Sequence, residues 1–341
     1  MALFDKTCMF TDIHFGLRSN SIKHNQTCIN FIKWMIEECK KRDIKTCMFL
    51  GDYFHNRSTI NVDTMNYGIQ GLALLNEYFD NTYFLVGNHD MYHRNKRDVT
   101  SVKFAQTFPN VHLIQHIEQI DDCLFLPFLV GDEWKEIENY NAKYVFGHLE
   151  LPGYKLNSLI EMPDHGKESE ETFSRCEYVF SGHFHKRQRK QLQSGTQIHY
   201  IGNPFCHNFN DAWDEARGCV MLEHSKAPEY LNWADGPKYR TANMSDLLED
   251  PTIYMAEEVT LKVNLDIDLT AEEIIFIRET YSKYFKLAEF KTVGNRKNDA
   301  AIEMDTGVQV ESVDQVVLDQ IKNLDSDTLD KNLLIEIYEN L

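Results

Sequence analysis

Five short apolar runs in this chain, residues 8–10, 47–50, 83–86, 144–146 and 178–180, each end on side chains that bind cations. The polar ends read Asp12-Ile13-His14, Gly51-Asp52, Gly87-Asn88-His89-Asp90, Gly147-His148 and Gly182-His183-Phe184-His185. They supply carboxylates, one amide oxygen and several imidazoles. Such mixed oxygen and nitrogen donors suit octahedral divalent ions, Mn²⁺ first, with Mg²⁺, Fe²⁺ and Zn²⁺ as alternatives and Ca²⁺ disfavoured by so many nitrogens. Two ions held about 3.5–4 Å apart can share a carboxylate, activate a water and clamp a phosphate for in-line attack. Asp52 is the natural shared ligand. A single D-x-H or Gly-Asp is usually a turn or a structural histidine; five in order, each closing an apolar run, point to metal chemistry.

Residues in such a pattern must be brought together by strands. Continuous apolar runs of three to five residues suit strands covered on both faces in a layered α/β fold, where ligands gather at the carboxyl ends. Between the first two runs, residues 21–43 place Ile22, Ile29, Ile32, Met35, Ile36 and Cys39 at largely helical spacing and end in Lys40-Lys41-Arg42, cations suited to a helix carboxyl end. Residues 61–79 repeat this with Met65, Ile69, Leu72, Leu75 and Phe79.

Beyond Leu222 the sequence becomes more polar, and residues 227–251 carry three prolines with little periodicity, which predicts a linker. Val259, Leu261, Val263 and Leu265 alternate as in a half-exposed strand, and Thr270-Ala271-Glu272-Glu273 has the spacing of a capping box opening a helix to about Phe285. Val313, Val316, Val317, Ile321 and Leu324, then Leu329, Leu333, Leu334, Ile337, Tyr338 and Leu341, predict two amphipathic helices. The expected organisation is a core over 1–225, a linker over 226–251, a small α+β module over 252–307 and a helical pair over 308–341.

Composition narrows the class. The chain has 341 residues, a hydrophobic fraction of 43% and no run near the ~18 apolar residues needed to span a bilayer. The amino terminus lacks the features of an export signal, so no membrane association and a cytoplasmic location are expected. The eight cysteines are scattered and read as reduced, mostly buried small hydrophobes. A formal charge of −18 opposes a polyanionic substrate at long range. Two basic runs, 93–97 and 186–190, each begin within five residues of a candidate ligand and offer local phosphate contacts.

The succession D-x-H, G-D-x-F-H, G-N-H-D, G-H and G-H-F-H, spread over roughly 7–204, resembles the calcineurin-like metallophosphoesterase superfamily. Within it, the Gly202-Asn203-Pro204 turn and the trailing helices are similar to the SbcD-type nuclease subunit of bacterial and bacteriophage recombination exonucleases. The resemblance implies a layered β-sandwich flanked by helices. It implies one ion on Asp12, His14, Asp52 and His185, and a second on Asp52, Asn88, His148 and His183. It makes His89 the leaving-group acid or transition-state stabiliser, with Asp90 orienting its ring, and gives His55 a part in exonuclease cutting. It further implies 3′-to-5′ digestion of duplex DNA, single-strand nicking, and a homodimer assembled with an SbcC-type coiled-coil ATPase gripped by the carboxyl-terminal helices, in DNA recombination, repair or replication. Cyclic-nucleotide and other small-molecule phosphodiesterases share the same motifs and form the second expectation. A pure scaffold is a third, against which the complete ligand set counts. Phosphoprotein phosphatases of the superfamily would carry G-D-x-x-D-R-G and G-N-H-E, where this chain has His55 and Asp90.

Overall fold

The computed structural model describes residues 2–155, 161–164, 166 and 169–294. Two six-stranded sheets hold the five apolar runs. The first runs, edge to edge, through Glu229–Asn232, Gly218–Glu223, Lys6–Phe10 (β1), Thr46–Phe49 (β2), Asn81–Leu85 (β3) and Val111–Ile114, and its last four strands are parallel. The second runs through Gln188–Gln191, Gln197–Tyr200, Tyr178–Ser181, Tyr144–Gly147, Cys123–Leu126 and Glu118–Ile120, its four middle strands parallel.

Side chains alternate across a strand, and here both faces are covered, which is why the runs are continuously apolar. Cys8, Phe10, Cys47, Phe49 and Phe84 pack under the helices Ile22–Arg42 and Val62–Tyr78. Met9, Met48, Leu50, Tyr83 and Leu85 face the second sheet and meet Phe125, Tyr144, Phe146, Tyr178 and Phe180. Stacked rings run along this inner face, with Tyr83–Phe125, Phe125–Phe146 and Phe146–Phe180 centroids 5.0, 5.6 and 5.9 Å apart. The outer face of the second sheet is covered by loop residues such as Leu149, Leu151, Tyr154 and Phe184.

The helices start where the sequence predicts. Ser21 accepts from the His24 backbone N–H at 3.3 Å, and Asn61 accepts from that of Thr64 at 2.7 Å, each satisfying an end group that would otherwise lack a partner. All eight cysteines are unpaired thiols, and all but the half-buried Cys176 are buried.

The expected linker is not one. Residues 226–251 contain the edge strand Glu229–Asn232, the strand Lys238–Asn243 and the helix Met244–Glu249. Pro228 and Pro237 each stand one residue before a strand, and Pro251 opens the short helix Pro251–Tyr254. The prolines therefore punctuate structure at positions that need no backbone donor, where the sequence suggested its absence. Lys238–Asn243 pairs in parallel with Val259–Leu265, which pairs with Glu289–Gly294, giving a three-stranded sheet. The helix Ala271–Phe285 is opened by the expected capping box between Thr270 and Glu273. Ala242, Met244, Leu247, Val259, Leu261, Val263 and Phe290 form this module's own core. The helical pair expected over 308–341, and residues 295–307 of the expected module, lie outside the described residues. No helix among the described residues is long and apolar enough to cross a membrane.

Candidate metal centre

The carboxyl ends of β1, β2, β3, Tyr144–Gly147 and Tyr178–Ser181 converge, so the loops after them bring seven of the predicted residues into one cluster, buried except for the half-buried His183 and His185. His14 Nε2 faces His185 Nε2 at 3.2 Å and lies 3.9 Å from Asp12 Oδ1 and 3.7 Å from Asp52 Oδ2. His185 Nε2 is 3.8 Å from Asp12 Oδ1. On the other side, Asn88 Oδ1 lies 2.9 Å from His148 Nε2 and 3.0 Å from His183 Nδ1, and His148 Nε2 is 3.5 Å from Asp52 Oδ2. Asp12 offers a carboxylate oxygen within 4.8 Å of ligand atoms of Asp52 and His148, and between the two groups stands Asp52 Oδ2. Its sister Oδ1 is engaged elsewhere, accepting the His89 backbone N–H at 2.8 Å.

Backbone conformation contributes to this convergence. Asp12, His14, Asp52 and His183 have φ of 51, 50, 61 and 81°, a region that costs a residue with a Cβ on the order of 1–2 kcal/mol. The turns are held by bonds between neighbouring loops: Asp12 N–H to Gly51 O at 2.9 Å, His14 N–H to Asp52 O at 3.2 Å, and Phe15 N–H to Tyr53 O at 2.7 Å. Space is also tight. A Cβ on Gly87 would stand 2.2 Å from Asp52 Oδ1 and 2.3 Å from its backbone nitrogen, and one on Gly182 would stand 2.1 Å from Thr11 Oγ1. Gly87→Ala is accordingly expected to lower stability by roughly 1–3 kcal/mol through overpacking and to weaken ion binding on both sides of Asp52. Thermal melting and a Mn²⁺ titration check this, and an unaltered titration would mean that the loop can shift without moving Asp52.

The donor set fits divalent cations. His148 Nδ1 is within 2.7 Å of the Leu50 carbonyl, so Nδ1 carries the proton and Nε2 of the neutral ring turns a lone pair toward the oxygens of Asn88 and Asp52. A cation relieves that clash. Without one, a proton does so: burial opposes the charge, but Asp52 and Asp12 outweigh it and lift His148 up to about 9. Burial likewise works against the Asp52 carboxylate, yet His148 and His89 hold it well below the usual carboxylate range. Asp12 is raised, by burial first and by the Asp52 charge as well. Loading such a site with divalent ions displaces protons.

His89 and His55 border the Asp12–His14–His185 side. The rings of His55 and His89 stack at 5.5 Å with 16° between planes, and the His14 ring is 4.9 Å from that of His89. His89 Nδ1 donates to the His55 carbonyl at 2.7 Å, which leaves Nε2 as the working nitrogen. Burial pushes the His89 pKa down, and Asp52 partly offsets this. Asp90 does not orient the His89 ring as expected. Its buried carboxylate accepts the backbone N–H groups of Gly87, Asp52, Tyr53 and Phe54 at 2.9–3.1 Å, tying the second ligand loop to the third. Burial and the neighbouring Asp52 charge raise its pKa to about 7 despite these donors.

The basic runs are more structural than expected. Arg97 is 7% exposed and donates to both Glu133 oxygens, at 2.8 and 2.5 Å, and to the Gln115 and Phe128 carbonyls. Arg187 bonds Asn232 at 2.7 Å and sits 4.8 Å over the Tyr230 ring, while Lys190 pairs with Glu170 at 2.7 Å. Lys186 and Arg189 have no ion pair among the described residues. Sequence reasoning missed Glu150, whose Oε1 lies 3.4 Å from His183 Nε2, and His207, whose ring lies 5.4 Å from that of His185. Glu150 stands two residues past His148 and could have been flagged for that. His207 belongs to no motif, and no signal in the sequence marks it.

The model of the family described as Calcineurin-like phosphoesterase matches residues 6–187, more than half of the chain. Exonuclease subunit 1 of Enterobacteria phage T4 is 28% identical over 221 residues, and the alignment spans 62% of this chain and 62% of that protein. The match thus covers less than two thirds of the relative's length. Among solved structures, a dimetal phosphatase from Danio rerio aligns with a TM-score of 0.39 at 11% identity, covering 63% of this chain and 91% of that one. The nuclease MPE of Pseudomonas putida aligns with a TM-score of 0.32 at 12% identity, covering 57% and 72%.

Proposed function

The chain belongs to the calcineurin-like phosphoesterase family, and from that premise we propose that it is a two-metal phosphodiesterase that cuts the DNA backbone. The observation that carries the two-ion part is Asp52 Oδ2, which stands 3.7 Å from the imidazole nitrogen of one ligand group and 3.5 Å from that of the other. In this reading Asp12, His14, Asp52 and His185 hold one ion, and Asp52, Asn88, His148 and His183 the other. Bound divalent ions, Mn²⁺ first, would polarise the phosphate and a water. The chain's own residues supply the rest. Asp90 fixes the two loops that carry Asp52 and Asn88. His55 lends its carbonyl to His89, whose Nε2 is left to act on the phosphate or the leaving oxygen.

DNA as substrate, and work as one subunit of a larger enzyme, are supported by the name of the phage T4 relative, an exonuclease subunit. The finer reading is 3′-to-5′ digestion of duplex ends and nicking of single strands, in a homodimer that joins an SbcC-type ATPase in recombination, repair or replication. The test is to incubate the purified chain with Mn²⁺ and end-labelled duplex DNA, and separately with cyclic nucleotides. Shortening of the DNA from its 3′ ends is expected. Hydrolysis of cyclic nucleotides with the DNA left intact would overturn the nuclease reading in favour of a small-molecule phosphodiesterase.

Two further outcomes are expected. Replacing Lys186 and Arg189 together with alanine is expected to weaken DNA binding and flatten the slope of log affinity against log salt by roughly 1.8, the value for two duplex phosphate contacts. An unchanged slope would return both to the role of solvated side chains. Truncation before Glu311 is expected to leave a Mn²⁺-dependent esterase that no longer co-purifies with the ATPase; full retention of the partner would sink the docking role of that segment.

A further inference from the structure

We propose that His207 is a positioning residue for the ion on the His14–His185 side, acting from a ring nitrogen through one bridging water. The proposal rests on the two-ion reading above. The His207 side chain is buried, with 1% exposure, and neither ring nitrogen has a hydrogen-bond partner. Leaving such a group unpaired costs about 1–3 kcal/mol, and a purely apolar side chain would fill the space without that cost. Its ring lies 5.6 Å from that of His14 and 5.4 Å from that of His185, nearly perpendicular to both at 82° and 81°. Asp12, His14 and His185 offer ligand atoms that all lie within 4.8 Å of one another, whereas His207 joins no such group among the described residues. It therefore reaches the ion at one remove.

The surroundings fix the His207 backbone while leaving its ring nitrogens unpaired. The His207 backbone N–H donates to Asp211 Oδ2 at 2.7 Å, and its carbonyl accepts from the Arg18 guanidinium. Asp211 is held in turn by Asn203 Nδ2 at 3.2 Å and Arg217 Nη2 at 3.1 Å. Arg217 also donates to the His185 carbonyl at 2.5 Å, so one guanidinium sets the spacing between a candidate ligand and His207. Burial, followed by the charges of His185 and His24, holds the His207 pKa well below the usual imidazole range. A neutral imidazole offers one donor and one acceptor, a pairing that suits water. Outer partners of this kind commonly change metal affinity by about 10–100-fold.

The test compares His207→Phe, which keeps a ring but removes its nitrogens, with His207→Gln, which keeps a donor and an acceptor. Mn²⁺ is titrated calorimetrically into the metal-free full chain, and electron paramagnetic resonance follows the exchange-coupled pair. His207→Phe is expected to bind one ion as the parent does and the second about 10–100-fold more weakly, with isolated Mn²⁺ signal appearing at two equivalents. His207→Gln is expected to recover most of the loss. If His207→Phe titrates like the parent, the ring serves packing only and the proposal fails. It fails equally if the Gln and Phe variants lose affinity to the same extent. Should the Phe variant fold poorly, His207→Leu gives the same comparison. Failure of the two-ion reading looks different: the parent chain itself would bind fewer than two ions.

Discussion

Asp52→Ala is expected to lose both ions together and to reduce phosphodiester hydrolysis at least about a thousandfold, or roughly 4 kcal/mol of transition-state stabilisation. The expectation comes from a single oxygen. Asp52 Oδ2 faces both ligand groups, and its removal leaves His14 and His148 without the carboxylate between them. Oδ1 is lost as well, and with it the acceptor that fixes the His89 backbone at 2.8 Å. Metal analysis after gel filtration from excess Mn²⁺, alongside hydrolysis of a chromogenic diester, checks both parts. A variant that retains two ions at parental affinity would refute the shared ligand, whatever its activity.

His89→Ala should give the opposite pattern, with two ions kept and turnover lost by about 10²–10⁴-fold, the usual range for removing a positioned proton-transfer group. His89 touches the ligand cluster through its backbone and through ring packing on His14, while its Nδ1 is committed to the His55 carbonyl. Calorimetry and single-turnover cleavage separate the two effects. Loss of an ion on substitution would make His89 a ligand and remove its proposed action on the phosphate.

The proximity of the candidate ligand residues was legible because strand ends translate directly into proximity. An apolar run buried on both faces, a tight turn and then a donor form a local pattern, and parallel pairing aligns three such patterns in one sheet and two in the other. Asp12, His14, Asp52, Asn88, His148, His183 and His185 all carry that signal. Asp90 carries it too, and the reading of its role still failed. Adjacency to His89 suggested contact with the ring, whereas the short turn sends the carboxylate inward to four backbone N–H groups. Arg97 shows the limit of charge as a guide, because a basic side chain next to Glu133 and two carbonyls becomes a buried clamp that composition cannot reveal. His207 is set by a network of Asp211, Arg217 and Arg18 spread over some 200 residues of sequence. Such networks have no period and no motif.

The convergence of loops from two sheets also bears on how the chain reaches its native state. Asp12, His14, Asp52 and Asn88 follow strands of the first sheet, while His148, His183 and His185 follow strands of the second. Each proposed ion takes ligands from both, so neither half-assembled sheet can bind one tightly. Parallel pairing of distant strands is an intrinsically slow step, and ions that recognise only its end product cannot template it. They act afterwards, as a thermodynamic latch: an ion present at a hundredfold its dissociation constant deepens the folded basin by about 2.7 kcal/mol. Metal supply would thereby set how long a finished molecule stays folded, while leaving the search that built it unchanged.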